Sequence, residues 1–123
     1  PKGTLEEKSS IVKKEASHLD GTILLKGNID IISDGLKIRY NHTGNPGMTV
    51  GGTGDVLSGI AGGFLAQNIS PFQSSTAASF INGIAGDSVA HEKGHHLKPE
   101  DIIEVIPNVI EDAINERLRA YVR

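Results

Sequence analysis

Between Thr43 and Gly59 the sequence reads Thr-Gly-Asn-Pro-Gly-Met-Thr-Val-Gly-Gly-Thr-Gly-Asp-Val-Leu-Ser-Gly, a glycine-rich stretch that passes into a helical pattern at Asp55. A loop of this kind that runs into a helix leaves backbone amides pointing outward, and the helix dipole adds positive potential at the same place. Phosphate is the natural ligand. Two common phosphate loops do not fit. A P-loop needs Gly-Lys-Ser/Thr at its end, whereas this loop ends Gly54-Asp55 without a lysine. A dinucleotide fingerprint needs G-x-G-x-x-G, and Gly52-Thr53-Gly54 is followed by Leu57 where the third glycine belongs.

What remains is an anion hole, built from the amides of Gly52, Thr53, Gly54 and Asp55, with a carboxylate at its edge. The arrangement suits phosphoryl transfer to a hydroxyl, in which the amides stabilise charge on the transferred group and Asp55 accepts the hydroxyl proton. The helix dipole favours the ionised carboxylate, and a proton transferred late, once the hydroxyl oxygen is bonding to phosphorus, makes few demands on a weak base. On these residues alone Asp55 reads equally well as a simple N-cap, a role aspartate often fills.

The surrounding elements must hold that loop. Thr4-Leu5-Glu6-Glu7 is a capping box that predicts a helix from about Leu5 to Ser17, with an incomplete apolar stripe of Leu5, Ile11, Val12, Ala16 and Leu19 suited to lying on a sheet. His18 sits at its end, where a cation suits the dipole. Thr22 to Lys26 is an apolar, β-branched run of the kind found in buried parallel strands. Ile29–Ser33, Asp34-Gly35 and Leu36–Asn41 read as a hairpin with a two-residue turn. From His42 to Gly54, five glycines and one proline among thirteen residues leave hardly any side chain for a core, which marks a functional loop.

From Asp55 the apolar residues Val56, Leu57, Ile60, Phe64 and Leu65 predict a helix, in which Gly59, Gly62 and Gly63 each cost about 1 kcal/mol relative to alanine. Close approach of another element is the expected compensation. Ser70-Pro71 opens a second helix of small residues, and Lys98-Pro99-Glu100-Asp101 opens a third, which Pro107 is expected to divide into Glu100–Ile106 and Asn108–Val122. No internal repeat or low-complexity tract is evident.

A chain of 123 residues, 37% of them hydrophobic, is enough for one domain or part of one. It opens at Pro1 without an initiator methionine and without a strand before the first helix, so a piece of a longer chain is expected. Twelve basic and fifteen acidic side chains give a net charge of −3, and the basic ones are scattered, so a nucleic-acid partner is not expected. Absence of cysteine removes disulfides, thiolate metal sites and a cysteine nucleophile. Apolar runs fall far short of the roughly 20 residues that cross a bilayer, so no membrane partner is expected either, and a cytoplasmic location is the simplest reading.

At its glycine-rich loop the sequence resembles the ribokinase-like superfamily, whose members carry Gly-x-Gly-Asp with the aspartate as catalytic base. The longer string from Gly44 to Gly59 resembles the NAD(P)H-hydrate dehydratases within it. Two further segments agree, Thr22 to Gly27 and Ala85-Gly86-Asp87-Ser88-Val89-Ala90 with Leu97, Asp101-Ile102-Ile103 and Ile106-Pro107, so the resemblance covers about Leu5 to Pro107. It implies an α/β fold, a three-layer α/β/α sandwich, of which residues 1–123 supply the C-terminal part of a single domain. The N-terminal strands and a substrate-binding segment would then lie elsewhere, and a missing N-terminal half or a partner copy in a homo-oligomer would cover the exposed sheet edge and helix face.

The resemblance further implies that ADP or ATP, accompanied by Mg2+, phosphorylates the hydroxyl of hydrated NADH or NADPH, after which loss of phosphate restores the reduced nicotinamide. Lys26, Gly27, Asn28, Ile29 and Asp30 would line the nucleotide site, Gly52, Thr53 and Gly54 would hold its phosphate, and Asp55 would be catalytic and meet the hydrate. The residues after Lys26-Gly27 depart from the small residues and threonine or histidine usual in relatives. Two other readings stand beside this one. A vitamin-precursor or sugar kinase would use the same hole and aspartate, although Asn45-Pro46-Gly47-Met48 speaks against it. A non-catalytic nucleotide-binding or assembly fragment would need neither.

Three smaller features have plainer readings. Lys26 can be a strand-end charge in solvent, Ser58 a hydroxyl bonded to the preceding turn, and Asp87 a cap on a backbone amide. His91, His95 and His96 have near-ligand spacing, but Gly94 breaks the helix between them and only Glu92 is at hand to complete a set, so no metal site is expected. Accordingly, added zinc should leave the melting temperature unmoved; a rise of several degrees would establish a site there.

Overall fold

The computed structural model describes the backbone of residues 2–122 and the side chains of residues 2–116. The elements run α1 (Leu5–Leu19), β1 (Ile23–Leu25), β2 (Asp30–Ser33), β3 (Ile38–Asn41), a 3-10 turn (Pro46–Thr49), α2 (Thr53–Ala66), α3 (Pro71–Lys93) and α4 (Pro99–Val122). Helix α1 starts where its capping box puts it: Thr4 Oγ1 accepts from the Glu7 amide and the Glu7 carboxylate accepts from the Thr4 amide. Its buried face is Ser9, Val12 and Ala16, whereas Leu5, Ile11 and Leu19 are exposed, so the stripe read from apolarity alone was shifted. Ser9 is tolerated inside because its hydroxyl donates to the Leu5 carbonyl and accepts from Tyr40 Oη.

The sheet is an antiparallel meander in the order β1-β2-β3, not a set of parallel strands. The apolar character of residues 23–25 comes from half-burial under α1 rather than from parallel neighbours. Pairing of Ser33 with Ile38 leaves a four-residue connection instead of the expected two-residue turn. Asp34 builds it, its Oδ1 accepting from the amides of both Leu36 and Lys37, and these bonds, the Lys37 one foremost, hold its carboxyl below the usual range.

Side chains alternate across a strand, and hydrogen bonds identify what covers each face. Tyr40, opposite Ile31, reaches Ser9 of α1, while Asp30 and its neighbour Asn41 reach Ser79 of α3. All four residues of β2 are buried. Helix, sheet and helix thus form three layers, with α2 and α4 packed on α3 around Ile81, Ala85, Val89, Leu97, Ile102 and Val109. The outer edges of β1 and β3 have no strand partner among the described residues.

Two helix readings need correction. Pro107 does not divide α4, which continues through it. Both Pro107 and Ile103, four residues before it, are exposed, so the carbonyl deprived of its partner is on the solvent side. In α2, a Cβ at Gly59, Gly62 or Gly63 would meet nothing within 4 Å. The helix packs through Val56, Leu57, Ile60 and Phe64, and its glycines face away from that contact, so the expected close neighbour is absent among the described residues.

Close approach occurs on α3 instead. A Cβ at Gly83 would overlap the Thr43 hydroxyl and stand 2.8 Å from the Thr43 carbonyl carbon, so this glycine is what lets the loop lie against the helix. Gly83→Ala should therefore cost roughly 1–3 kcal/mol through overpacking, despite a helix-propensity gain of about 1 kcal/mol. Denaturant unfolding measures it, and an unchanged or raised midpoint would show that the loop has room to retreat.

Candidate active site

The site is held by a run of polar contacts that begins in the sheet. Asp30 is buried and accepts three hydrogen bonds, from the Gly27 amide, Asn41 Nδ2 and Ser79 Oγ. Its carboxylate thereby fixes the turn after β1, the end of β3 and the middle of α3 with respect to one another. Asn41 extends the run: its Oδ1 accepts from the amide and hydroxyl of Thr43, and its Nδ2 also donates to the Ser79 carbonyl. About two helical turns further along α3 from Ser79, Asp87 accepts from the Gly44 amide (3.0 Å) and from Asn45 Nδ2 (2.9 Å). Asp87 is thus a cap on a backbone amide, with the added task of gripping the next side chain.

Beyond that grip, Asn45 Oδ1 accepts from the Gly47 amide and starts the 3-10 turn. Buried Thr53 donates to the Met48 carbonyl (2.7 Å), which ties this turn to the first residue of α2. Gly52 is the N-cap of α2. It has a positive φ of 103°, and a Cβ there would come within 2.7 Å of Pro99 Cγ at the start of α4, so both conformation and space require glycine. Pro99 is steadied in turn, because the Lys93 ammonium at the end of α3 donates to Asp101 at 2.8 Å. That bond, joined by one from the Lys98 amide, holds the Asp101 carboxyl below its ordinary value.

No side chain caps α2, and the amides of Thr53, Gly54 and Asp55 have no acceptor among the described residues; the first helical bond runs from the Val56 amide to the Gly52 carbonyl. These are the unsatisfied donors of a helix N-terminus. Asp55 stands in that first turn, exposed and without a hydrogen-bond partner, so it is not the N-cap that its residue type alone allows. Ser58 donates to the Gly54 carbonyl at 3.0 Å, the plain role expected of it.

A cavity of about 600 Å³ opens beside the loop. Lys26, Gly27, Asn28 and Asp30 form one wall, Thr43 to Pro46 with Met48 and Thr49 another, and Ser79, Asn82 and Gly83 of α3 the floor. Four of the five residues assigned to a nucleotide from β1 and the turn after it are thus together on one wall. Ile29 is not among the lining residues, and Asp30, although it lines the cavity, has its carboxylate already engaged by three protein donors. Gly52 to Asp55 do not line the cavity either; they follow Thr49 along the chain, on the next step of the same loop. Lys26 is exposed at the end of β1 and takes part in no ion pair among the described residues.

Asn41, Thr43, Ser79 and Asn82 were not singled out from the sequence. A signal existed for the last: an asparagine in the middle of Phe80-Ile81-Asn82-Gly83-Ile84-Ala85, a helical stretch otherwise apolar or small, is a polar group inside a core. His91 ends up in the last turn of α3 and His95 and His96 beyond its C-cap Gly94, all exposed. Among the described residues no three histidine or carboxylate side chains come together as a metal-holding group, and no helix is long and apolar enough to cross a membrane.

If the polar run is what fixes the loop, Asp87→Ala should lower stability by roughly 1.5–3 kcal/mol, the range for bonds to a charged group, and should accelerate amide hydrogen exchange at Gly44 and Gly47. Unaltered exchange at these two amides would show that packing of Thr43 on Gly83, and of Met48 on Gly86, where a Cβ would overlap the Met48 side chain, suffices.

Comparison with known proteins agrees with this geometry. A bifunctional NAD(P)H-hydrate repair enzyme, Nnr, from Pyrobaculum aerophilum is 44% identical over 119 residues, covering 97% of this chain and 24% of that protein. The ADP/ATP-dependent NAD(P)H-hydrate dehydratase of Bacillus subtilis, co-crystallized with ATP/Mg2+, superposes with a TM-score of 0.78 at 26% identity, over 87% of this chain and 39% of its own. A ribokinase-like superfamily protein from Enterococcus faecalis gives 0.72 at 32% identity, over 89% and 37%. The fold is therefore the ribokinase-like α/β sandwich, in part: the chain spans about a quarter of the curated relative and two fifths of each solved chain. The family model described as NAD(P)H-hydrate dehydratase matches residues 2–108, and the chain belongs to that family.

Proposed function

We propose that the protein containing this chain uses ADP or ATP to dehydrate hydrated NADH or NADPH, returning the reduced nicotinamide. The observation that carries this reading is the free first turn of α2, three amides without acceptors next to a carboxylate without donors, in a chain of the dehydratase family. The terminal phosphoryl group of the nucleotide sits against the amides of Thr53 and Gly54, which stabilise charge as it transfers. The oxygen of the hydrate hydroxyl forms a bond to phosphorus while the bridging phosphate bond breaks, and Asp55 takes the hydroxyl proton. Phosphate then leaves with the oxygen it received as the C–O bond breaks, and loss of a proton from the adjacent ring carbon supplies the electron pair of the restored double bond, which completes the loss of water.

The rest of the nucleotide extends into the cavity beside Lys26, Gly27 and Asn28, whose volume of about 600 Å³ is within the usual range for small-molecule sites. Asp30 contributes by holding the Gly27 turn, not by touching the ligand. Mg2+ would accompany the nucleotide, bound to its phosphate oxygens and to water and offsetting their negative charge, which leaves Asp55 free to accept the proton. The sheet edges and the glycine face of α2 leave room for the remainder of the protein or for a second copy.

The test is Asp55→Asn in the full-length protein. Nucleotide binding should persist while turnover falls by about two to four orders of magnitude, the contribution of a general base. Turnover is read from recovered reduced-nicotinamide absorbance. Unchanged turnover would remove Asp55 from the mechanism, and a stable phosphorylated product without recovered absorbance would make the protein a kinase.

A further inference from the structure

Asn82 is, among the described residues, the one buried polar side chain lining the cavity that lacks a partner. It is 3% exposed, lies on the cavity floor and makes no side-chain hydrogen bond, and its Oδ1 is buried without any donor. Every other buried polar side chain around it is satisfied: Asp30, Asn41 and Ser79 bond one another, and Thr43 bonds Asn41. An orphan amide oxygen in such a place is costly. An asparagine kept there is explained if a ligand supplies the missing partner.

The form of the cavity limits what that ligand is. One wall, the segment through Pro46 to Thr49, leads along the chain to the free amides at the start of α2. A molecule occupying both therefore has phosphate at one end and, at the other, a group that meets the carboxamide of Asn82 in a cavity also lined by Pro46 and Met48. A carboxamide offers one acceptor and one donor in a plane. Its complement is a flat edge with an amino group beside a ring nitrogen, which adenine presents and to which asparagine pairs bidentately. On the edge that carries N7, guanine and hypoxanthine present a carbonyl oxygen where adenine presents the amino group, two acceptors side by side, so read from that edge they leave Oδ1 as unpaired as before. Rotation about the broad terminal torsion of Asn82 turns Oδ1 from its closed position toward the base.

We propose that Asn82 reads the base of the nucleotide, its Oδ1 accepting from the adenine amino group and its Nδ2 donating to the adjacent ring nitrogen. This deepens the function proposed above and rests on it. Asn82 is then a specificity residue, remote from the transferred phosphoryl group.

Full-length wild-type protein and Asn82→Ala are compared for binding of, and turnover with, ADP, inosine diphosphate and guanosine diphosphate. One bidentate pair is worth roughly ten- to a hundredfold in base discrimination. Wild type should favour ADP over the other two by at least about tenfold. The variant should lose most of that preference, through weaker ADP binding and unchanged binding of the other two. Because the side chain makes no internal bond, the melting temperature should hold; if Asn82→Ala does not fold, Asn82→Ser gives the same readout. An equal ADP preference in wild type and variant overturns the proposal. So does a variant altered only in KM for the hydrate, which would place the amide against the nicotinamide carboxamide. If wild type turns over with ADP but never discriminates between bases, the base assignment alone falls. If wild type neither binds nor uses any of the three, the dehydratase reading falls with it.

Discussion

The site depends on one buried carboxylate. Asp30 is 8% exposed and has no cation beside it among the described residues; three neutral donors satisfy it instead. Taking such a charge out of water is costly unless its hydrogen bonds are nearly complete, so the three donors are constrained in position as strongly as the acid is. Those donors belong to three different parts of the chain, the turn after β1, the last residue of β3 and the middle of α3. The same group that stabilises the layered packing therefore sets the spacing between the two walls of the cavity and its floor.

From that centre, precision is passed along the loop by short bonds rather than by a core. Asn41 holds Thr43, Asp87 holds Gly44 and Asn45, Asn45 holds Gly47, and Thr53 closes back on Met48. Glycine appears where a side chain would obstruct this path, at Gly83 under Thr43 and at Gly52 under Pro99. The outcome is an α2 N-terminus whose amides are left free because no neighbouring side chain caps them. A loop with almost no apolar residue is thereby ordered well enough to set three free amides next to a carboxylate.

Much of this was legible in the residues because the signals are local. Capping chemistry fixes where α1 and α3 begin, proline and acidic residues mark the start of α4, and glycine content marks the loop. Non-local facts were less legible. The run Thr22 to Lys26 carries no information on whether its neighbours are parallel or antiparallel, since apolarity reports burial only. Pro107 signals a break, but whether the helix survives depends on which side of it faces solvent. The three glycines of α2 signal an intimate contact that the described residues do not make. The Asp30–Asn41–Ser79 cluster joins segments up to 49 residues apart, and no pattern within a single element announces it.

The meander also bears on the order in which the molecule is assembled. Strands β1, β2 and β3 pair strictly with their neighbours in the chain, so their contacts close short loops and form with little entropic delay. The bonds from Asp30 to Ser79 and from Gly44 to Asp87 span 49 and 43 residues and have to wait for α3. On contact order alone the sheet is an early template, and the geometry of the glycine-rich loop is acquired last, when that helix docks and the loop closes against it.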